Sequence, residues 1–380
     1  MYKLTLNEEA KKAHVACYFN AVRATLKAIV DGKAVRFWRT KEAFDLPCHN
    51  ASVRRLFKIL LDYTTSESDN LLVAQPDRLW KLIQDYNQYL ASCSWRKDSY
   101  PYSECYKFIK KLFSYDRFVN PKCARALEFE QGKSVIRTIA ISKVAETSWS
   151  GKEWNALRFI ESLGVRYCPY CNAETVYSIS FENESPVKTA RSALDHYFSQ
   201  STYPFLAISL CNLVPSCTRC NTDIKRDREL DYIEHLNPYS DSLHDAIRFV
   251  CAPTDCAAGF RPELIRTEDD FRFTIRERGT IGNAGIERRG KNLTDFFYIK
   301  EIYNRLFRYE AVQDIYHSRI AGSAYYDMLR KMLGENISYE RLRELFLNVT
   351  VDASKINMIR LSKLAIDMHE MVLESLCRDA

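Results

Sequence analysis

The stretch from Cys211 to Lys225 reads Cys-Asn-Leu-Val-Pro-Ser-Cys-Thr-Arg-Cys-Asn-Thr-Asp-Ile-Lys, and the rest of the chain is best read outward from it. It contains a C-x-x-C turn, Cys217-Thr-Arg-Cys220. A second such turn, Cys168-Pro-Tyr-Cys171, lies upstream, with 45 residues between the two. A C-x-x-C turn aims two thiolates at one tetrahedral ion about 2.3 Å from each sulfur, and two turns close a four-sulfur zinc site. The interval is longer than a simple ribbon needs, so an element is looped out between the pairs. Buried reduced thiols, or a redox pair at Cys168 and Cys171, are the competing readings. Two pairs flanking Leu194-Asp195-His196-Tyr197 favour structural Zn²⁺. Cys211, Cys251 and Cys256 read as core or surface thiols.

The looped-out segment carries the residues suited to hydrolysis. Cleaving a phosphodiester needs a nucleophile made from water and a sink for the charge that develops on phosphate. An imidazole titrates near neutrality, so His196 can take a proton from water. Asp195 offers one hard oxygen and Asn221 a second, a donor set suited to Mg²⁺ or Mn²⁺. Neighbouring residues on a strand point to opposite faces, so the division of labour between Asp195 and His196 depends on a twist at the strand end. Lys225 follows Asn221 by one helical turn and can neutralise a phosphate; an exposed lysine with no role is the competing reading.

Asp195-His196, Asn212 and Asn221, set between the two cysteine pairs, closely resemble the HNH endonuclease superfamily in its zinc-knuckle form. The resemblance implies a ββα-metal fold. A strand ends at Asp195-His196, a loop follows, a second strand runs around Asn212 to Val214, and a helix starts near Cys220. It also implies roles: His196 as general base, Asp195 and Asn221 on the divalent ion, and Asn212 tying down the loop so that His196 keeps its aim. The pattern covers Cys168 to Lys225, and a looser similarity extends through His235-Leu-Asn-Pro-Tyr239 and Phe297 to Tyr303. Where many members carry a second histidine this chain has Tyr197, and the third position, often histidine, is Asn221. Asp195 must then carry the metal. The layout looks like the HNH subunits of bacterial anti-phage systems, of the Septu type or linked to retrons, in which a separate ATPase restrains or activates the nuclease. DNA is the favoured substrate, with RNA as the alternative, and the rival to the enzyme is an inactive zinc-stabilised nucleic-acid-binding or scaffold protein.

Composition sets the frame around this core. Gly and Pro occur 11 times each in 380 residues, about half of ordinary usage. That scarcity predicts a mainly helical chain with a small α+β core. Residues 1–150 read as a helical region for regulation, substrate or partner binding, 151–260 as the nuclease core, and 261–380 as a mainly helical C-terminal region. Val15, Tyr18, Val22, Leu26 and Ile29 recur at helical spacing until Gly32. Ser52 is expected to cap a second helix and Pro76 to open a third. A short helix over Trp154 to Glu161 should end at Gly164. Ser338, with Ile337 and Leu342, has the pattern of a stapled helix start, and Asp352 is expected to cap a last helix carrying Ile356, Ile359, Ile366 and Leu373.

The net charge of +6 permits a polyanionic partner without requiring one. Arg272, Arg276, Arg278, Arg288, Arg289 and Lys291 form the densest basic region outside the motif. With Arg219, Arg226 and Arg228 they are candidates for a groove that grips a phosphate backbone. Phe271, Phe273 and Ile275 alternate with Arg272, Thr274 and Arg276, as on a strand with one basic face. No secretory signal, membrane-length apolar run or G-x-x-x-x-G-K-[ST] loop is present, which points to a cytoplasmic protein whose ATP use, if any, belongs to a partner. His235 reads as a structural histidine at a helix end, and His14, His49, His244, His317 and His369 as ordinary.

Overall fold

The computed structural model describes residues 3–33, 46–119, 128–131, 134–137, 148–149, 152–181, 188–254, 260–279, 284–321, 328, 331–332 and 353–378. These are mainly helical, with small antiparallel sheets. The chain forms two compact units, each assembled from separated segments. The first contains Thr5–Gly164 and Tyr177–Pro215; the second contains Met1–Leu4, Val165–Val176 and Ser216–Ala380.

Helix α1 (Glu8–Val30) opens the first unit, with the Asn7 side chain accepting from the Glu9 amide and two acids in the first turn. Both features favour a helix start, because they satisfy orphan amides and face the positive end of the dipole. Val15, Tyr18, Val22, Leu26 and Ile29 form its buried stripe. Gly32 ends the run at φ +76°, where a Cβ is strained. Helix α2 (Ala51–Asp62) is capped by Asn50 rather than by Ser52: the Asn50 carboxamide accepts from the amides of Ser52 and Val53. Asn caps as well as Ser and stands two residues earlier, so the helix starts from Asn50. Pro76 is the first residue of α3 (Pro76–Cys93), where its missing N–H costs nothing. Helices α4 (Tyr102–Leu112) and α5 (Tyr115–Val119) follow.

Leu56, Phe57, Leu60, Leu79, Leu82 and Phe108 are fully buried at the centre of this helical layer. Two-stranded ribbons come next: β1 (Glu128–Gln131) with β2 (Ser134–Arg137), then β3 (Ser148–Trp149) with β4 (Lys152–Glu153). Helix α6 (Ala156–Leu163) is capped by Asn155 and stopped by Gly164 at φ +62°. Strand β5 (Ser178–Phe181) pairs with β6 (Lys188–Arg191), which runs through Ser192 into β7 (Ala193–His196). Strand β7 pairs in turn with β8 (Leu213–Ser216).

In the second unit a π-helix, Arg219–Lys225, follows the second cysteine turn. A short helix α7 (Leu243–Ala246) leads into β9 (Ile247–Pro253), which pairs antiparallel with β10 (Phe271–Glu277). The alternation read from the sequence is present: Phe271 and Phe273 are buried, while Arg272 and Arg276 are exposed. Helices α8 (Ala284–Phe296) and α9 (Ile299–Leu306) pack against this ribbon, α10 (Arg308–Ala321) follows and packs on α9, and the Tyr303 ring stacks on Phe249 at 4.5 Å. The last helix, α11 (Ser362–Arg378), begins later than the sequence predicts. Ile356 lies in a preceding 3₁₀ turn, Ala353–Met358, and Leu361 takes φ 55° just before the helix. Asp352 and the Ile337–Ser338–Leu342 start lie outside the described residues. Among the described residues no helix is long and apolar enough to cross a membrane.

Candidate functional site

The two cysteine turns meet in the second unit. The sulfurs of Cys168, Cys171, Cys217 and Cys220 all lie within 4.8 Å of one another and all four residues are buried. Four sulfurs about 2.3 Å from a common tetrahedral ion stand about 3.8 Å apart, and Cys171 and Cys217 are 3.8 Å apart. None of the four is in a disulfide. The donor set and its spacing therefore fit a zinc-type ion. The Cys171 thiol is held well below its usual range by hydrogen bonds from Cys168, Cys217 and Cys220, whereas burial pushes Cys168 up. A dication removes that conflict by stabilising thiolates together.

Backbone geometry makes the knot possible. In the first turn the Asn172 amide donates to the Cys168 carbonyl at 2.7 Å, and the Cys168 amide to the Glu174 carbonyl at 2.9 Å. In the second, the Cys220 amide points at the Cys217 sulfur at 3.4 Å, the geometry that stabilises a thiolate. Asn172 sits at φ 53°, a left-handed position that Asn tolerates better than most residues. Its side chain ties the knuckle to the C-terminal segment: Nδ2 donates to the Ile356 carbonyl, and Oδ1 accepts from the Lys363 amide. Tyr170 stacks on Phe297 at 4.4 Å, and the Tyr303 hydroxyl donates to the Cys171 carbonyl at 2.7 Å. The Phe297–Tyr303 stretch singled out in the sequence is thus a packing wall for the knuckle.

Asp195, His196 and Asn212 belong to the first unit, on β7 and just ahead of β8. Asp195 and His196 are 4% and 8% exposed, so both are drawn inward at the strand end instead of dividing between core and solvent. His196 Nε2 lies 2.9 Å from the Ala207 carbonyl oxygen. A carbonyl can only accept, so Nε2 carries the proton and, in the neutral ring, Nδ1 holds the basic lone pair. Asn212 is fully buried and clasps the intervening loop. Its Oδ1 accepts from the Phe198 amide at 2.7 Å, and its Nδ2 donates to the carbonyls of Phe198 and Leu206, each at 3.0 Å. The Tyr197 amide donates to the Asn212 carbonyl, closing the hairpin. The ring of Tyr115, from α5, meets the imidazole edge-on with centroids 4.7 Å apart. Tyr115 was not flagged by the sequence, because nothing in its own neighbourhood distinguishes it.

Asn221 and Lys225 belong to the second unit, on the π-helix. Lys225 is 4% exposed, which removes the reading of it as an idle surface lysine. The helix carrying it is π-wound, the Arg226 amide bonding to the Asn221 carbonyl five residues back. The wider turn alters the face relation that α-helical spacing predicts for Asn221 and Lys225.

The basic candidates divide into two sets. Arg219 pairs with Glu174 at 3.1 Å and lies beside the Cys171 sulfur. Arg288 pairs with Glu234 at 3.0 Å, and Arg289 with Asp241 at 2.9 Å. Arg278 pairs with buried Asp367, Lys291 with Asp295, and Arg228 caps carbonyls of Ile224 and Phe296. Arg226, Arg272 and Arg276 are exposed and make no ion pair among the described residues. His235 lies in a turn rather than at a helix end, its Nδ1 accepting from the Asp231 amide. Comparison with protein-family models, with curated proteins and with solved structures finds no match for this chain.

Proposed function

We propose that this chain is a metal-dependent HNH-type endonuclease, the hydrolytic effector of a bacterial anti-phage system, with nucleic acid as substrate and DNA favoured over RNA. The observation that carries the reading is the buried Asp195-His196 pair, with His196 fixed as the Nε2–H tautomer by Ala207 and its loop clasped by Asn212. A base that must accept a proton from water needs a known lone pair in a fixed direction, and this arrangement supplies both. The four-cysteine knot serves as a structural zinc centre, cross-linking two turns that are far apart in the chain.

In the proposed reaction His196 takes a proton from water while the water oxygen bonds to phosphorus. The bond from phosphorus to the 3′ oxygen breaks, and that oxygen is protonated from solvent, leaving 5′-phosphate and 3′-hydroxyl ends. Asp195 is the carboxylate that would hold a Mg²⁺ or Mn²⁺, which would supply charge stabilisation to the phosphate oxygens. Arg226, Arg272 and Arg276 are the arginines left to hold backbone phosphates. A separate ATPase is the proposed regulatory partner.

The test is cleavage of DNA and RNA by the purified chain with Mg²⁺ or Mn²⁺, alone and with the candidate ATPase. His196→Ala should lower the rate by a factor of about 100 or more, the contribution of a positioned general base. Equal cutting by wild type and His196→Ala would end the enzyme reading. Retained binding without any cutting would favour the zinc-stabilised binder.

A further inference from the structure

We propose that Arg191 is the phosphate-binding cation of the His196 site, held on station by Tyr115; this rests on the nuclease reading above. Arg191 ends β6, one residue before β7 carries the chain to Asp195 and His196. Its Nη1 donates to the Ser192 carbonyl at 2.9 Å, and its guanidinium lies close enough to the Tyr115 phenol to pull that group's pKa down against the upward push of burial. Tyr115 is the ring that meets His196 at 4.7 Å, and it also feels the charge of Asp195. One tyrosine therefore touches the base and neighbours both the carboxylate and the guanidinium.

The half-buried guanidinium makes no ion pair among the described residues. This contrasts with Arg219, Arg278, Arg288 and Arg289, each of which is matched with an acid. Guanidinium has five N–H donors in a rigid fork, and the contacts to Ser192 and Tyr115 leave donors for an anion. A cation placed beside a general base is poorly suited to the base itself, since it disfavours protonated imidazole. It is well suited to a substrate that brings negative charge. A phosphodiester oxygen is the group that fits, and it offsets that repulsion on binding. The role assigned to Tyr115 is positioning: it holds the fork by its hydroxyl and the imidazole by its face.

The experiment uses the full chain and compares Arg191→Met, Arg191→Lys and Tyr115→Phe with wild type. It reads kcat and KM for cleavage in Mn²⁺, and the salt dependence of binding to a labelled oligonucleotide in a His196→Ala background. Arg191→Met should lower kcat by about 100-fold and reduce the salt slope of log affinity by about one. Arg191→Lys should recover part of the rate, and Tyr115→Phe should lose less than Arg191→Met while melting at a similar temperature. Unchanged kcat and salt slope in Arg191→Met, with His196→Ala inactive, would overturn the Arg191 assignment and leave the nuclease reading intact. Absence of cutting by wild type, with the slope still falling in Arg191→Met, would overturn the nuclease reading while keeping Arg191 as a phosphate contact. A melting temperature lowered equally by Arg191→Met and Arg191→Lys, with no change in slope, would make the residue structural and overturn the proposal.

Discussion

His14 shows how a single side chain can be misjudged from sequence. It reads as an ordinary histidine, yet it is fully buried, with Nε2 donating to the Ile208 carbonyl at 2.8 Å and Nδ1 accepting from the Trp154 indole at 3.1 Å. Both ring nitrogens are used only if the ring is neutral, and burial lowers its pKa to about 3. The folded value lies below the unfolded one, so the unfolded chain binds the extra proton first. The stabilisation is complete above about pH 6.5 and is lost progressively as pH falls toward 3. At pH 5 one such group costs about 2 kcal/mol. Denaturant titrations at pH 7.5 and pH 5 should show that loss in wild type. In His14→Gln, which is less stable at pH 7.5, the loss between the two pH values should shrink. An equal loss in both would show that other groups carry the acid sensitivity. The same distance effect explains what else was illegible at this scale. Tyr115, Arg191 and His196 meet although the first is far from the others in the chain, and the acids that neutralise Arg288 and Arg289 lie some fifty residues upstream. The cysteine turns were legible because their chemistry is local.

Elements were readable wherever one face repeats and a cap is unambiguous. Helix α1 follows its apolar stripe, α3 begins at its proline, and α6 stops at Gly164. The last helix was misplaced because Ile356 and Ile359 continue an apolar spacing across a 3₁₀ turn, and periodicity cannot distinguish the two windings over one turn. Strand β10 was readable as well, from the alternation of Phe271 and Phe273 with Arg272 and Arg276. Close packing between elements leaves a subtler mark. At Gly290, on α8, an added Cβ would stand 2.6 Å from the Ala246 Cβ at the end of α7 and 3.3 Å from an Ile247 methyl. Its φ is ordinary, so the glycine is needed for proximity alone. Gly290→Ala should therefore destabilise by about 1–3 kcal/mol, the usual cost of overpacking. Ala246→Gly in the same chain should return part of it by removing the nearer atom. A double mutant no more stable than Gly290→Ala would mean that backbone conformation, not contact, is responsible.

At the scale of the whole molecule, the scarcity of glycine and proline is matched by long helices, but the four-cysteine cluster belongs to only one of the two units. The knot is coupled to that unit's far end through Asn172. The amides of Arg166 and Tyr167 both donate to the Asn357 carbonyl, and the Leu361 amide donates to the Asn172 carbonyl at 2.8 Å. Helix α11 then bonds the edge of β9, with Asp367 accepting from the Phe249 amide at 2.8 Å and holding Lys363 and Arg278. Order at the cysteine cluster therefore reaches beyond the turns themselves, because the segment around 353–378 is fastened to the first of them. The core of α1, α2 and α3 depends on apolar burial within its own unit. Purified protein should carry about one zinc per chain, and a strong chelator should speed hydrogen exchange at Tyr167, Leu361 and along α11. Amides in the middle of α2 and α3 should keep their protection. Cys220→Ser should reproduce the chelated pattern without chelator, which separates loss of metal from any effect of the reagent. Protein that contains no zinc, or an exchange pattern that chelation leaves unchanged, would show that the four buried thiols hold their geometry by packing alone.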